Sequence, residues 1–227
     1  MQTNLFFRLF IVLIVCSLLA CNGTKTITNT SPEPPRFATE IDKIKQISFN
    51  TQQERIVFTG SSSIRFWPNI STYYPTYQVI NTGFGGSQMS DLLYYLEETV
   101  LRFEPTKVFI YEGDNDIAAK QDIETILKNT KAVVQKIEQK IPDVAIIIIA
   151  AKPSLARWEL KDDYIKLNQA FKKYVATKPN CQFANVWDIM LDENGAVLPT
   201  IFIEDGLHMN QAGYELWDKV IRPFVVE

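Results

Sequence analysis

The chain has 227 residues, of which 46% are hydrophobic, 22% charged and 12% aromatic, with a formal charge of −3. This balance excludes a disordered, collagen-like or long coiled-coil chain, and the mild acidity gives no basic footprint for nucleic acid. Three Cys and a single His, His208, fit neither a disulfide framework nor a Cys/His zinc site, so any histidine chemistry must run through that residue.

Taken in chain order, Arg8 comes first, followed by the uncharged run 9–20 (LFIVLIVCSLLA). That run is well short of the roughly 20 apolar residues a spanning helix needs. A basic residue, a short apolar stretch and a small-residue exit form the layout of a secretory leader. The run closes on Leu18-Leu19-Ala20-Cys21, which is similar to the bacterial lipoprotein box, where cleavage precedes a cysteine that receives lipid. Residues 1–20 are therefore expected to be a lipoprotein-type signal peptide, with Cys21 as the lipidation site. Residues 21–36 are expected to be a polar tether, and 37–227 the folded domain. Removing 20 of 227 residues leaves 207, takes away Arg8 and Cys16, and leaves Cys181 as the remaining unmodified thiol. The expected location is the cell envelope, membrane-anchored through Cys21 and facing the periplasm or exterior.

The rest of the chain alternates strand and helix patterns. Strands are predicted at 55–59 (RIVFT), 77–81 (YQVIN), 106–111 (TKVFIY), 144–151 (VAIIIIAA) and, more weakly, 182–186. The fourth is apolar at every position, as a parallel strand buried on both faces should be. Helical spacing marks 90–103, 122–140, 162–175 and 211–221, with Pro142 closing the second of these. Such alternation implies right-handed crossovers and a parallel sheet with helices on both sides. The expected fold is one three-layer α/β/α sandwich with a five-stranded parallel, flavodoxin-like sheet.

In an open parallel sheet, ligands bind at the carboxyl ends of the strands. The first strand runs into Gly60-Ser61-Ser62-Ser63, and the second into Asn81-Thr82-Gly83-Phe84-Gly85-Gly86. The third runs into Glu112-Gly113-Asp114-Asn115-Asp116, and Asp205-Gly206-Leu207-His208 lies near the C-terminus. Hydroxyls, glycine amides, a carboxamide and a His–carboxylate pair thus converge on one edge. Trp67 and Trp158 follow two site loops and are candidate walls of a substrate pocket.

FTGSSSIRFW, NTGFGG, YEGDND and DGLHMNQAGY, in that order, resemble the four sequence blocks of the SGNH (GDSL-like) hydrolases. The resemblance implies a serine esterase or acylhydrolase working through an acyl-enzyme with no cofactor and no metal. On its blocks Ser62 falls at the nucleophile, with Ser61 where the family name has Asp, and the alternatives Ser61 and Ser63 stand beside it. Asp205 and His208 fall at the other two triad positions. The oxyanion hole falls on Ser62, Gly86 and Asn115. A hydroxyl is a poor nucleophile until an imidazole takes its proton, and a carboxylate on the far ring nitrogen fixes the tautomer. The implied partner is a small-molecule or carbohydrate ester, with an acetylated carbohydrate foremost and short-chain lipid or lysophospholipid esters second.

Two rival readings come from other classes. Glu112, Asp114 and Asp116 alternate, so on an extended strand they would share a face and could hold a hard cation for metal-dependent hydrolysis. That arrangement leaves the serines and the Asp205–His208 pair unexplained. A non-catalytic, lipid-anchored carbohydrate-binding module is the other rival. No P-loop, dinucleotide fingerprint or G-x-S-x-G elbow is present.

Overall fold

Glycine and polar stops divide the apolar runs into five strands: β1 (Arg55–Gly60), β2 (Gln78–Asn81), β3 (Lys107–Tyr111), β4 (Ala145–Ile149) and β5 (Cys181–Ala184). The computed structural model describes residues 36–226. The expected leader, Cys21 and the tether up to residue 35 lie outside them. All strand pairs are parallel, in the order β2-β1-β3-β4-β5. This is the doubly wound order in which the chain leaves β1 in one direction and later continues in the other, opening a crevice at the ends of β1 and β3.

Successive strand residues point to opposite faces, so the sheet feeds two cores. Val57, Val108, Ile110, Ile146 and Ile148 face one core. It is covered by α1 (Ala38–Lys45), α4 (Met89–Tyr94), α5 (Leu96–Thr99), α7 (Ile123–Lys140) and α8 (Lys161–Val175). Ile56, Phe58, Phe109, Ile147 and Ile149 face the other, which holds side chains of α2 (Ser62–Arg65), α3 (Ile70–Tyr73) and α9 (Gln211–Val226). The short α6 (Asp114–Ala118) follows β3. Helices on both faces of the parallel sheet make the three-layer α/β/α sandwich.

Three of the four helical patterns become single helices with adjusted ends, α7, α8 and α9. Asp122 is the cap of α7 rather than its first residue, its carboxylate accepting the N–H of Thr125 at 2.7 Å. The pattern over 90–103 is not one helix: the backbone leaves helical geometry at Tyr95 and again at Val100, which lets Leu92, Leu96, Val100 and Phe103 all reach the core. β5 starts at Cys181 and stops at Ala184, because Asn185 turns the chain by accepting the N–H of Trp187. The sequence reading also passed over α1, whose two core residues Ile41 and Ile44 are too few to mark a period.

Candidate active site

The first strand ends in a turn that only glycine can make. A Cβ on Gly60, at φ +126°, would lie 2.0 Å from the carbonyl oxygen of Tyr111. The chain therefore passes close against β3 and opens α2 at once, with Ser62 as its first residue. An amide at that position has no intrahelical acceptor. The three adjacent serines separate by environment. Ser61 is fully buried with its hydroxyl toward Asp114 at 3.4 Å, and Ser63 is buried at 2% exposure. Ser62 Oγ faces the cleft and lies 2.9 Å from His208 Nε2.

His208 is held from behind. Its Nδ1 lies 2.6 Å from Asp205 Oδ2, while Asp205 Oδ1 accepts the N–H groups of Leu207 and His208 at 2.8 and 2.9 Å. The three-residue spacing thus closes a turn on one carboxylate oxygen and leaves the other for the ring. Partial burial alone would raise the Asp205 carboxyl, but the His208 ring bond and these two amides outweigh it and hold it down at about 2. The carboxylate therefore stays charged throughout the neutral range. The 2.6 Å contact requires one proton on Nδ1, so in the neutral ring Nε2 is the acceptor facing Ser62.

Asn115, on α6 at the end of β3, reaches the same cleft. Its Nδ2 donates to the carbonyl of Ser87 at 2.9 Å, and its Oδ1 accepts from Arg157 Nη2 at 3.1 Å. This pairing leaves the second Nδ2 proton for the cleft. Gly86 stands opposite at φ +84°, with no protein atom nearer than 4.0 Å to where a Cβ would be. Glycine is required there by backbone conformation, not by crowding. Among the described residues, neither the Ser62 nor the Gly86 N–H donates to a protein acceptor. Ser62, Gly86, Asn115 and His208 line one open cleft of about 310 Å³ with Arg65, Phe66, Gly85, Arg157 and Leu207. A groove of about 640 Å³ along α7 and α8 is larger, yet its lining of Leu127, Lys131, Ala170, Lys173, Tyr174 and Thr177 contains no His, Asp or Glu to serve a nucleophile as base.

Several expectations are corrected. Glu112, Asp114 and Asp116 do not share a face, because α6 starts at Asp114 and turns the segment out of extended geometry. Glu112 instead meets the Ser87 hydroxyl at 2.5 Å, Asp116 accepts the Met89 N–H at 3.1 Å, and Asp114 accepts the Tyr111 hydroxyl at 3.1 Å. Among the described residues, no three His, Cys, Asp or Glu are grouped so as to hold a metal ion. Trp67 and Trp158 do not line the cleft. Trp67 is 3% exposed and packs on Phe58, Tyr214 and Trp217, while Trp158 stacks on Trp187. The aromatic wall is Phe66, half-exposed, whose ring meets the His208 ring edge to face at 5.1 Å.

The sequence reading also missed the segment after β4. Lys152, 2% exposed, donates from Nζ to the carbonyl of Leu207 at 2.6 Å. Burial pulls its ammonium down to about 8, although Asp114 acts the other way. The Ala156 N–H donates to the carbonyl of Gly206 at 3.0 Å, and Arg157 holds Asn115. The signal was available: β4 also runs into charged residues at its carboxyl end, the position that singled out the other loops.

The sequence pattern of the GDSL-like Lipase/Acylhydrolase family matches residues 56–216. No curated protein matches the chain by sequence. Among solved structures it is similar to a protein from Streptococcus pneumoniae named for platelet activating factor, with 24% identity over 82% of this chain and 90% of that one and a TM-score of 0.73. It is similar to a GDSL-like lipase from Bacteroides thetaiotaomicron, with 22% identity over 84% and 95% and a TM-score of 0.65. A catalytic mutant of an acetylxylan esterase from Geobacillus stearothermophilus gives 16% identity over 77% and 95% and a TM-score of 0.63. At these identities the three structures share a fold with the chain.

Proposed function

Because the chain belongs to the GDSL-like lipase/acylhydrolase family and is a carboxylic ester hydrolase, we propose that Ser62, His208 and Asp205 carry its reaction as nucleophile, base and orienting carboxylate. The observation that carries this reading is His208 bridging the other two, at 2.9 Å to Ser62 Oγ and 2.6 Å to Asp205 Oδ2. Nε2 takes the hydroxyl proton as Oγ attacks the ester carbonyl, and Asp205 steadies the imidazolium. The amides of Ser62 and Gly86 and the free Nδ2 proton of Asn115 receive the developing oxyanion. Collapse of the tetrahedral intermediate passes the proton from Nε2 to the leaving alcohol and leaves an acyl-Ser62 ester. A water activated by the same nitrogen then hydrolyses it.

The favoured substrate is a small acyl ester, foremost an acetyl group on a carbohydrate. An open cleft of about 310 Å³ with a single aromatic wall supports a short acyl group over a long one, and one structural relative is named as an acetylxylan esterase. Purified protein assayed on acetylated sugars and on p-nitrophenyl esters of increasing chain length tests this. The reading expects the highest kcat/KM for acetyl, and rates that climb with chain length would favour lipid esters instead. Lipid on Cys21 is the companion proposal: wild type should sediment with membranes and Cys21→Ser should not.

A further inference from the structure

We propose that the cleft selects esters whose sugar carries a carboxylate, and that Arg65 receives that group. This rests on the esterase reading above and names its substrate more narrowly. The chain as a whole is negative at −3, yet the charged side chains lining the cleft are Arg65 and Arg157, with His208 beside them and no Asp or Glu among them. A cleft opposite in sign to its own protein concentrates anions.

Two guanidiniums, Arg65 and Arg157, line the cleft and a third, Arg36, holds the carbonyl of Gly86, and their hydrogen bonds separate their roles. Arg36 is committed to structure: its Nη2 donates to the carbonyl of Gly86 at 2.7 Å and its Nη1 to Asp91 at 3.4 Å. Arg157 is committed as well, donating to the Asp114 carbonyl at 3.2 Å and to Asn115 Oδ1 at 3.1 Å. Arg65 differs. Its charged partner among the described residues is Glu40, in an ion pair at 3.8 Å that lies outside hydrogen-bond reach and leaves the Arg65 side chain 41% exposed. Among the described residues its guanidinium donates no hydrogen bond, so a planar fork of N–H groups is available to a bidentate anion.

Position completes the argument. Ser62 and Arg65 are three apart on α2 and share its face. Both flank Gly85: from the point where a Cβ would stand there, Arg65 Nη1 is 3.1 Å and Ser62 Cβ 3.6 Å away. An anion on Arg65 therefore sits within one sugar ring of the attacked carbonyl. Phe66, next in the chain, exposes half of its surface beside His208 and offers that ring an apolar face.

The test compares an O-acetylated methyl hexuronide with the O-acetylated methyl hexoside that has CH2OH in place of the carboxylate, alongside p-nitrophenyl acetate. Wild type should favour the hexuronide about tenfold in kcat/KM at low salt, with the advantage shrinking at about 0.5 M salt. Arg65→Gln should bring the hexuronide-to-hexoside ratio close to one, and Arg65→Lys should restore part of it. The ratio is internal to each variant, so a general loss of activity does not imitate the effect. Equal rates on the two sugars, or a ratio unchanged in Arg65→Gln, while p-nitrophenyl acetate is hydrolysed through Ser62, would overturn this inference alone. A wild type inert on every ester would overturn the esterase reading and this inference with it.

Discussion

At the scale of single residues, the proposed site depends on polar side chains whose orientation is fixed by assigned partners. Asn115 is the clearest case. An amide side chain can present either end, and here Arg157 and the Ser87 carbonyl fix which one faces the cleft. Asn115→Ala removes a donor needed most when charge develops, so kcat should fall on the order of 10²–10³-fold with KM little changed. Steady-state kinetics on p-nitrophenyl acetate measure this, and a loss confined to KM would assign Asn115 to substrate binding. Two neighbours show what a sequence hides at this scale. Ser61 and Ser62 are chemically identical, and only the turn at Gly60 decides that one faces Asp114 and the other His208. Glu112 and Asp116 read as candidate ligands, but burial raises both carboxyls, Asp116 to about 6, against the N–H bond from Met89.

At the scale of elements, three β-strand ends and the C-terminal loop carry the residues of the proposed site, and the loop after β4 ties them together. That loop holds Leu207 through Lys152, Gly206 through Ala156 and Asn115 through Arg157. The buried ammonium has a measurable signature. Lys152 titrates near 8 in the fold against an ordinary 10.5, so below about pH 8 both folded and unfolded chains carry its proton and the burial penalty is fully present. Between about 8 and 10.5 the unfolded chain binds more protons, and stability should rise with pH. Thermal melts of wild type relative to Lys152→Met should show that relative rise, and parallel pH curves for the two would contradict it. Element identity was legible where the pattern was strong: α7 and α8 repeat their apolar period over many residues, and β4 is apolar at every position. The short α2 and α6 were not legible. Each has four or five residues, and their helical geometry comes from the turns at Gly60 and Gly113, not from any period.

At the scale of the whole molecule, the order β2-β1-β3-β4-β5 puts the reversal between β1 and β3, and the Ser62 and Asn115 loops leave those two strands. The convergence of the three loops after β1, β2 and β3 was readable from strand ends, since an open parallel sheet has one edge where they emerge, whereas the Asp205–His208 loop follows no strand and was legible only through its sequence block. What remained unreadable was the wall of the cleft. Trp67 is adjacent to Phe66 in the chain, yet the first is core and the second is exposed beside His208, a difference that depends on α9 bringing Trp217 and Tyr214 against Trp67. The account as a whole depends on Ser62 being the atom that is acylated. Mass spectrometry of peptides after acid quench during turnover of a slow p-nitrophenyl ester, or after reaction with a fluorophosphonate, tests this most directly. The added mass should sit on Ser62 and be absent from Ser62→Ala, whereas label on Ser61 or Ser63, or label that persists in Ser62→Ala, would contradict it.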